Sequence, residues 1–226
     1  MDNWKNNTIW FEQIPKSLQA YVDLKESNGR DLELGNIEYL TLVHHNNKTR
    51  HLMDLHLPET LQYLDLTSST IQNFIGIEKL TGLKRLELHY CTKLHSDEGL
   101  SCLADTLEHL HINQSKKFVP SEELLSLKNL RVLRLNTCGE LENLQFLNQF
   151  PKLIDFRFVN TNVRDGDLTP IVNHHSIRSA GFINKRHYNI KDDEMKEMLM
   201  KKNDGKAFKT IMTYGKYETF RYHDHS

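Results

Sequence analysis

Apolar positions in this chain return on a step of 22 to 24 residues. In "LRVLRLNTCGEL", residues 130–141, Leu130, Leu133, Leu135, Cys138 and Leu141 stand at offsets one, four, six, nine and twelve. Strict alternation does not produce that set, and neither does the three-to-four spacing of an amphipathic helix. The same arrangement begins at Ile37, Leu61, Leu83, Leu107, Leu130, Leu153 and, degraded, Ile177, as in "LQYLDL", "LKRLEL" and "LEHLHI". Seven matches at so regular a step predict a repeat architecture, in which each unit is too small to bury its own apolar edge and needs its neighbours. Each "LxL" then reads as a short strand, leucines inward and the intervening residues outward.

The motif L-x-x-L-x-L-x-x-[C/S/T] resembles that of leucine-rich repeat proteins, over residues 37–190. The resemblance implies an α/β solenoid, with a curved parallel sheet on the concave face and short helices or turns on the convex face. It also implies that offset nine (His45, Ser69, Cys91, Ser115, Cys138, Thr161 and Lys185) turns inward to bond exposed backbone groups of the adjoining turn. Ser69 to Thr161 suit that role, whereas His45 and Lys185 depart from it and mark the ends of the stack. Small cytosolic members of the family further resemble inhibitors or bacterial immunity proteins, which cover a toxin.

The return segments predict short helices and tight turns. "SDEGLSCLADT" opens with Ser96 as N-cap and acidic residues in the first turn, and "PSEELLSLKN" repeats the device at Ser121. "IQNFIGIEKL" places Phe74, Ile77 and Leu80 three apart, as a single tight turn requires. An open stack would expose its leucines, so residues 1–36 and 191–226 are expected to be caps. The first contains an alternating stretch, Leu18 to Leu24, with a turn at Asn28-Gly29, which reads as a hairpin or extended cap. The second contains a helix with Met195, Met198 and Leu199 on one face and Gly205 as stop. A strand-turn-strand around Tyr214-Gly215 follows.

Composition changes this picture little. With a formal charge of -1 the chain has no overall bias toward nucleic acid or acidic lipid, and Asp155 interrupts its cluster of Arg131, Arg134, Arg157 and Arg178. It has no apolar run of the ~20 residues a membrane span needs and opens without a basic-then-apolar leader, so the expected location is cytoplasmic. Cys91, Cys102 and Cys138 form no disulfide framework. On the repeat, Cys91 and Cys138 lie two strands, roughly 10 Å, apart, beyond disulfide reach.

The outward offsets supply the candidate chemistry. Tyr39, Tyr63, Asp65, Arg85, Glu87, His89, Tyr90, His109, His111, Arg134, Asp155 and Arg157 share the concave face, and the offset-five row runs from acidic to basic. Tyrosine and arginine concentrate binding energy at interfaces, so these twelve are the expected contact set for another protein, in a one-to-one complex without enzyme activity or cofactor. An adaptor recruiting a target through the C-terminal segment is the alternative within binding. Metal-dependent hydrolysis at Glu87, His89, His109 and His111 is the alternative in a different class. Neighbouring-strand spacings of ~7 Å argue against a metal site there, and no metal ligand is assigned. No phosphate-cradling glycine loop, nucleophile elbow or HExxH motif is present.

Overall fold

The computed structural model describes residues 2–26, 34–203 and 210–222. Eight strands form one parallel sheet in sequential order: β1 (Gln19–Asp23), β2 (Tyr39–Val43), β3 (Tyr63–Thr67), β4 (Arg85–His89), β5 (His109–Asn113), β6 (Val132–Asn136), β7 (Asp155–Arg157) and β8 (Ser179–Gly181). Register follows the repeat, residue for residue. Leu40, Leu64, Leu86, Leu110, Leu133, Phe156 and Ala180 are successive partners, and Leu42, Leu66, Leu88, Ile112 and Leu135 form a second line. The leucines of both lines are fully buried, and burying one such side chain contributes about 1.5–3 kcal/mol. The alternating stretch Leu18 to Leu24 is an eighth parallel strand, β1, paired with β2 from Gln19↔Tyr39 to Asp23↔Val43, and not a hairpin arm. The predicted turn at Asn28-Gly29 lies outside the described residues.

The convex side consists of short 3-10 turns, with helices α1 (Glu122–Leu125) and α2 (Thr169–Asn173). Phe74, Ile77 and Leu80 are buried on consecutive i→i+3 turns, as their spacing requires. Capping at α1 runs between repeats, whereas at α2 it is local, the Asp167 carboxylate accepting from the Thr169 amide at 2.9 Å. The Asp97 carboxylate, not the Ser121 side chain, accepts from the Ser121 and Leu124 amides at 2.8 and 2.9 Å at the start of α1. Glu123 reaches back to the Gly99 and Ser101 amides at 2.7 and 3.1 Å. These two turns thus satisfy orphan donors of one another. Gly76, at φ +99°, lies so close to the preceding turn that a Cβ would stand 2.2 Å from the Met53 amide nitrogen.

Offset nine forms most of the expected ladder, although the Ser115 hydroxyl is buried with no hydrogen-bond partner. The Cys91 and Cys138 thiols donate to Leu66 O and Ile112 O, each at 3.4 Å, and Thr161 donates to Leu135 O at 2.6 Å. Burial pushes both thiols up to about 12, which keeps them protonated and unreactive. His45 departs from the ladder as expected, since its imidazole meets a side chain and not a backbone group. It is buried, with its Nδ1 3.0 Å from the Ser69 hydroxyl. Lys185 is half-exposed and bonds the Asn162 side chain.

Beyond β8, α3 (Asp192–Lys202) buries Met195 and Leu199 in the main core. Next to it Phe156, Phe158 and Phe182 stack at 5.1–5.2 Å between centroids, taking the place leucines hold elsewhere. A separate antiparallel hairpin follows, β9 (Thr210–Tyr214) and β10 (Tyr217–Arg221), turning at Gly215. Gly205 lies outside the described residues. Among those described, no helix is long and apolar enough to cross a membrane.

Candidate functional site

Strand alternation carries all twelve candidate residues to the concave face or its rim, but outward does not mean open. Tyr39, Tyr63, Arg85, Glu87, His109 and Asp155 are buried. What covers the first of them is the start of the chain. Trp4 and Ile14, with Ile9, Phe11 and Leu18 beside them, pack on Tyr39 and Tyr63. Tyr63 meets Phe11 edge-on at 6.0 Å. Arg85 fixes this segment, donating to the carbonyl oxygens of Trp4 at 3.0 Å, of Asn6, and of Asn7 at 3.2 Å.

The C-terminal hairpin docks beside it. Tyr222 packs with Val132 and Ile154 and donates to Asp155 Oδ2 at 3.0 Å. Arg134 bonds both the Tyr222 hydroxyl and Asn7 Oδ1, and Arg157 Nε donates to Asp155 at 3.0 Å. The two ends are also joined to one another, through Asn7 N to Phe220 O at 2.7 Å and Tyr222 N to Lys5 O at 2.9 Å. The acid-to-base gradient of the offset-five row is therefore compensated inside the chain: Glu87 pairs with Arg85, and Asp155 with Arg134 and Arg157. Asp155 does more than interrupt the basic cluster; it ties up two of its four arginines.

A strip toward the C-terminal ends of the strands remains accessible. Asp65, His89, His111, Arg134 and Arg157 are partly exposed, and Tyr90 is 56% exposed. Tyr90 belongs to the outward offset-eight row, whose backbone conformation the sequence did not reveal. His44, Ser68, Tyr90, Gln114, Thr137 and Asn160, all at offset eight, adopt the left-handed backbone at φ +52° to +61°. L-residues enter that region at a cost, met here because the turn aims the following offset-nine side chain inward.

The electrostatics of the strip are set by desolvation. Burial raises Asp65 to about 6, although the charge of His89 pulls it down. Burial also pushes Glu87 up, but the charge of Arg85 and a hydrogen bond from His89 outweigh it and hold the carboxyl well below its usual range. Burial drives His111 to about 3 and His109 well below its ordinary value, so both are neutral at pH 7. His89 is raised, because its bond to Glu87 and the charges of Glu87 and Asp65 exceed the effect of burial. The strand-spacing argument against convergence does not hold for three of these groups: ligand atoms of Glu87, His89 and His111 lie within 4.8 Å of one another. Their side chains lean together where backbone spacing alone kept them apart.

The in-register parallel ribbon, the inward leucines and the offset-nine ladder define a leucine-rich-repeat-type α/β solenoid. Among solved structures, the chain is similar to an internalin (inlF) from Listeria monocytogenes strain 4b F2365, with a TM-score of 0.50 and 14% identity, over 68% of this chain and 45% of that one. The chain thus spans less than half the length of that internalin, and at this identity the likeness establishes the fold alone. No family model and no curated protein matches the sequence.

Proposed function

We propose that this chain is a non-enzymatic protein-binding module of the cytoplasm that engages one partner protein in a one-to-one complex, as an inhibitor or immunity protein does. The partner docks on the accessible strip of Asp65, His89, Tyr90, His111 and Arg157, while Tyr39, Tyr63, Arg85, Glu87, His109, Arg134 and Asp155 act from beneath by holding the chain's own ends in place. The carrying observation is Tyr90, a large, mostly exposed aromatic on a rigid strand end, beside half-desolvated charges. Rigid aromatics with polar tips are the residues that concentrate interface energy. The inhibitor role itself rests on the family resemblance.

The test is to purify the partner by cross-linking and measure its affinity for the wild type, Tyr90→Ala and Tyr217→Ala. Tyr90→Ala is expected to weaken binding at least tenfold, about 1.4 kcal/mol or more, with Tyr217→Ala near wild type. Full affinity in Tyr90→Ala and in His89→Ala would move the interface off the strip. The adaptor reading draws on one observation: Ile211 and Tyr217 of the hairpin are 63% and 60% exposed. It predicts the reverse ranking. Removing residues 206–226 does not separate the readings, because it also takes Tyr222 from Asp155.

A further inference from the structure

Glu87 and His89 are two apart on β4 and so share its concave face, and His111 is the register partner of Glu87 on β5. His89 Nε2 stands 3.2 Å from Glu87 Oε2, and the His89 and His111 rings meet edge-on at 4.9 Å. Arg85 occupies the other carboxylate oxygen, Oε1, at 2.6 Å, which fixes the carboxylate and leaves Oε2 to His89 and, at 3.5 Å, the Tyr63 hydroxyl. Beside them His109 is 2% exposed, 4.0 Å from Glu87 Oε1, and neither of its ring nitrogens has a hydrogen-bond partner. Buried polar atoms are rarely left unsatisfied without a reason. Two imidazoles and a carboxylate are a donor set that borderline divalent ions prefer over hard ones.

We propose that Glu87, His89 and His111 form a binding site for a divalent transition-metal ion of the zinc type, with the fourth position open to the groove. Three protein ligands and one open position are a usual arrangement for such an ion. A mutual reach of 4.8 Å is wider than bonds of about 2.0–2.2 Å allow, so binding draws the three side chains inward by roughly an ångström. Asn136, whose amide donates to His111 at 3.1 Å, swings aside to admit the ion. Asp65, paired in register with Glu87, supplies further negative charge at the rim.

The test uses the full chain in metal-free buffer, with His223→Ala and His225→Ala as a parallel background because the sequence ends His-Asp-His-Ser. Co²⁺ titration is expected to give one equivalent bound with visible absorption of tetrahedral type. Zn²⁺ should displace the Co²⁺, and His89→Ala with His111→Asn should weaken binding at least tenfold. In the unsubstituted chain, the histidine ring proton resonances of His89 and His111 should be the first to shift with Zn²⁺. Equal binding by the variant carrying His89→Ala with His111→Asn, shifts confined to other histidines, or no uptake at one equivalent would each overturn the assignment.

Discussion

Single residues in this chain do structural work that their type does not announce. His45 stands where the repeat wants a small polar group, and its imidazole is buried with Nε2 unpartnered. Burial lowers its pKa below the ordinary 6.5. The unfolded chain then binds a proton near pH 6.5 that the folded chain takes up only at lower pH. This contribution to stability is complete above about pH 6.5 and is lost progressively as pH falls from there through the lower folded-state pKa. Replacing His45 by Asn should reduce the fall in melting temperature between pH 7 and pH 5 in metal-free buffer. His109 and His111 titrate in the same direction, so part of the slope persists, while the raised His89 and Asp65 oppose it. An unchanged slope would mean that His45 is hydrated and protonates freely.

Between elements, the repeat is held by reciprocal bonds as well as by leucines. Asp97 caps α1 of the next unit and Glu123 caps the turn of the previous one. Ser96 and Ser121 read from sequence as local caps; the Ser96 hydroxyl does accept from the Glu98 amide at 3.1 Å, but Ser121 caps nothing itself. A cap supplied from a residue 24 positions away leaves no local pattern. Asp97→Ala should cost about 1–3 kcal/mol, since it strands buried amide donors, whereas Ser121→Ala, which keeps those amides bonded to Asp97, should cost less. Urea melts of the two variants check the ranking, and a larger loss for Ser121→Ala would restore the local cap. The strands and their register were legible because inward leucines at a fixed step permit one alignment. The parallel strand β1 was not, because Gln19–Asp23 alternates without the repeat's leading leucine and an isolated alternating run fits either direction of pairing.

For the whole molecule, the concave face is not a bare groove. The chain's two ends lie across the strand starts, joined to one another and bound by Arg85, Arg134 and Asp155. Outward charges read from sequence as a partner surface because strand periodicity reports the face, not what covers it. The contacts that decide the matter link residues 81 and 127 positions apart. A hint was present: Trp4, Ile9, Trp10, Phe11 and Ile14 are apolar residues outside the repeat phase, and such residues need somewhere to pack. Both tryptophans of the chain lie in this segment, Trp4 buried and Trp10 half-exposed. Tryptophan emission and iodide quenching, compared between the wild type and Arg85→Met, therefore test the self-covered face most directly. If the ends dock as described, Arg85→Met should shift the emission to longer wavelength and raise quenching while the far-ultraviolet dichroism of the sheet is retained. Blue-shifted, poorly quenched emission that is identical in both proteins would contradict docking through Arg85.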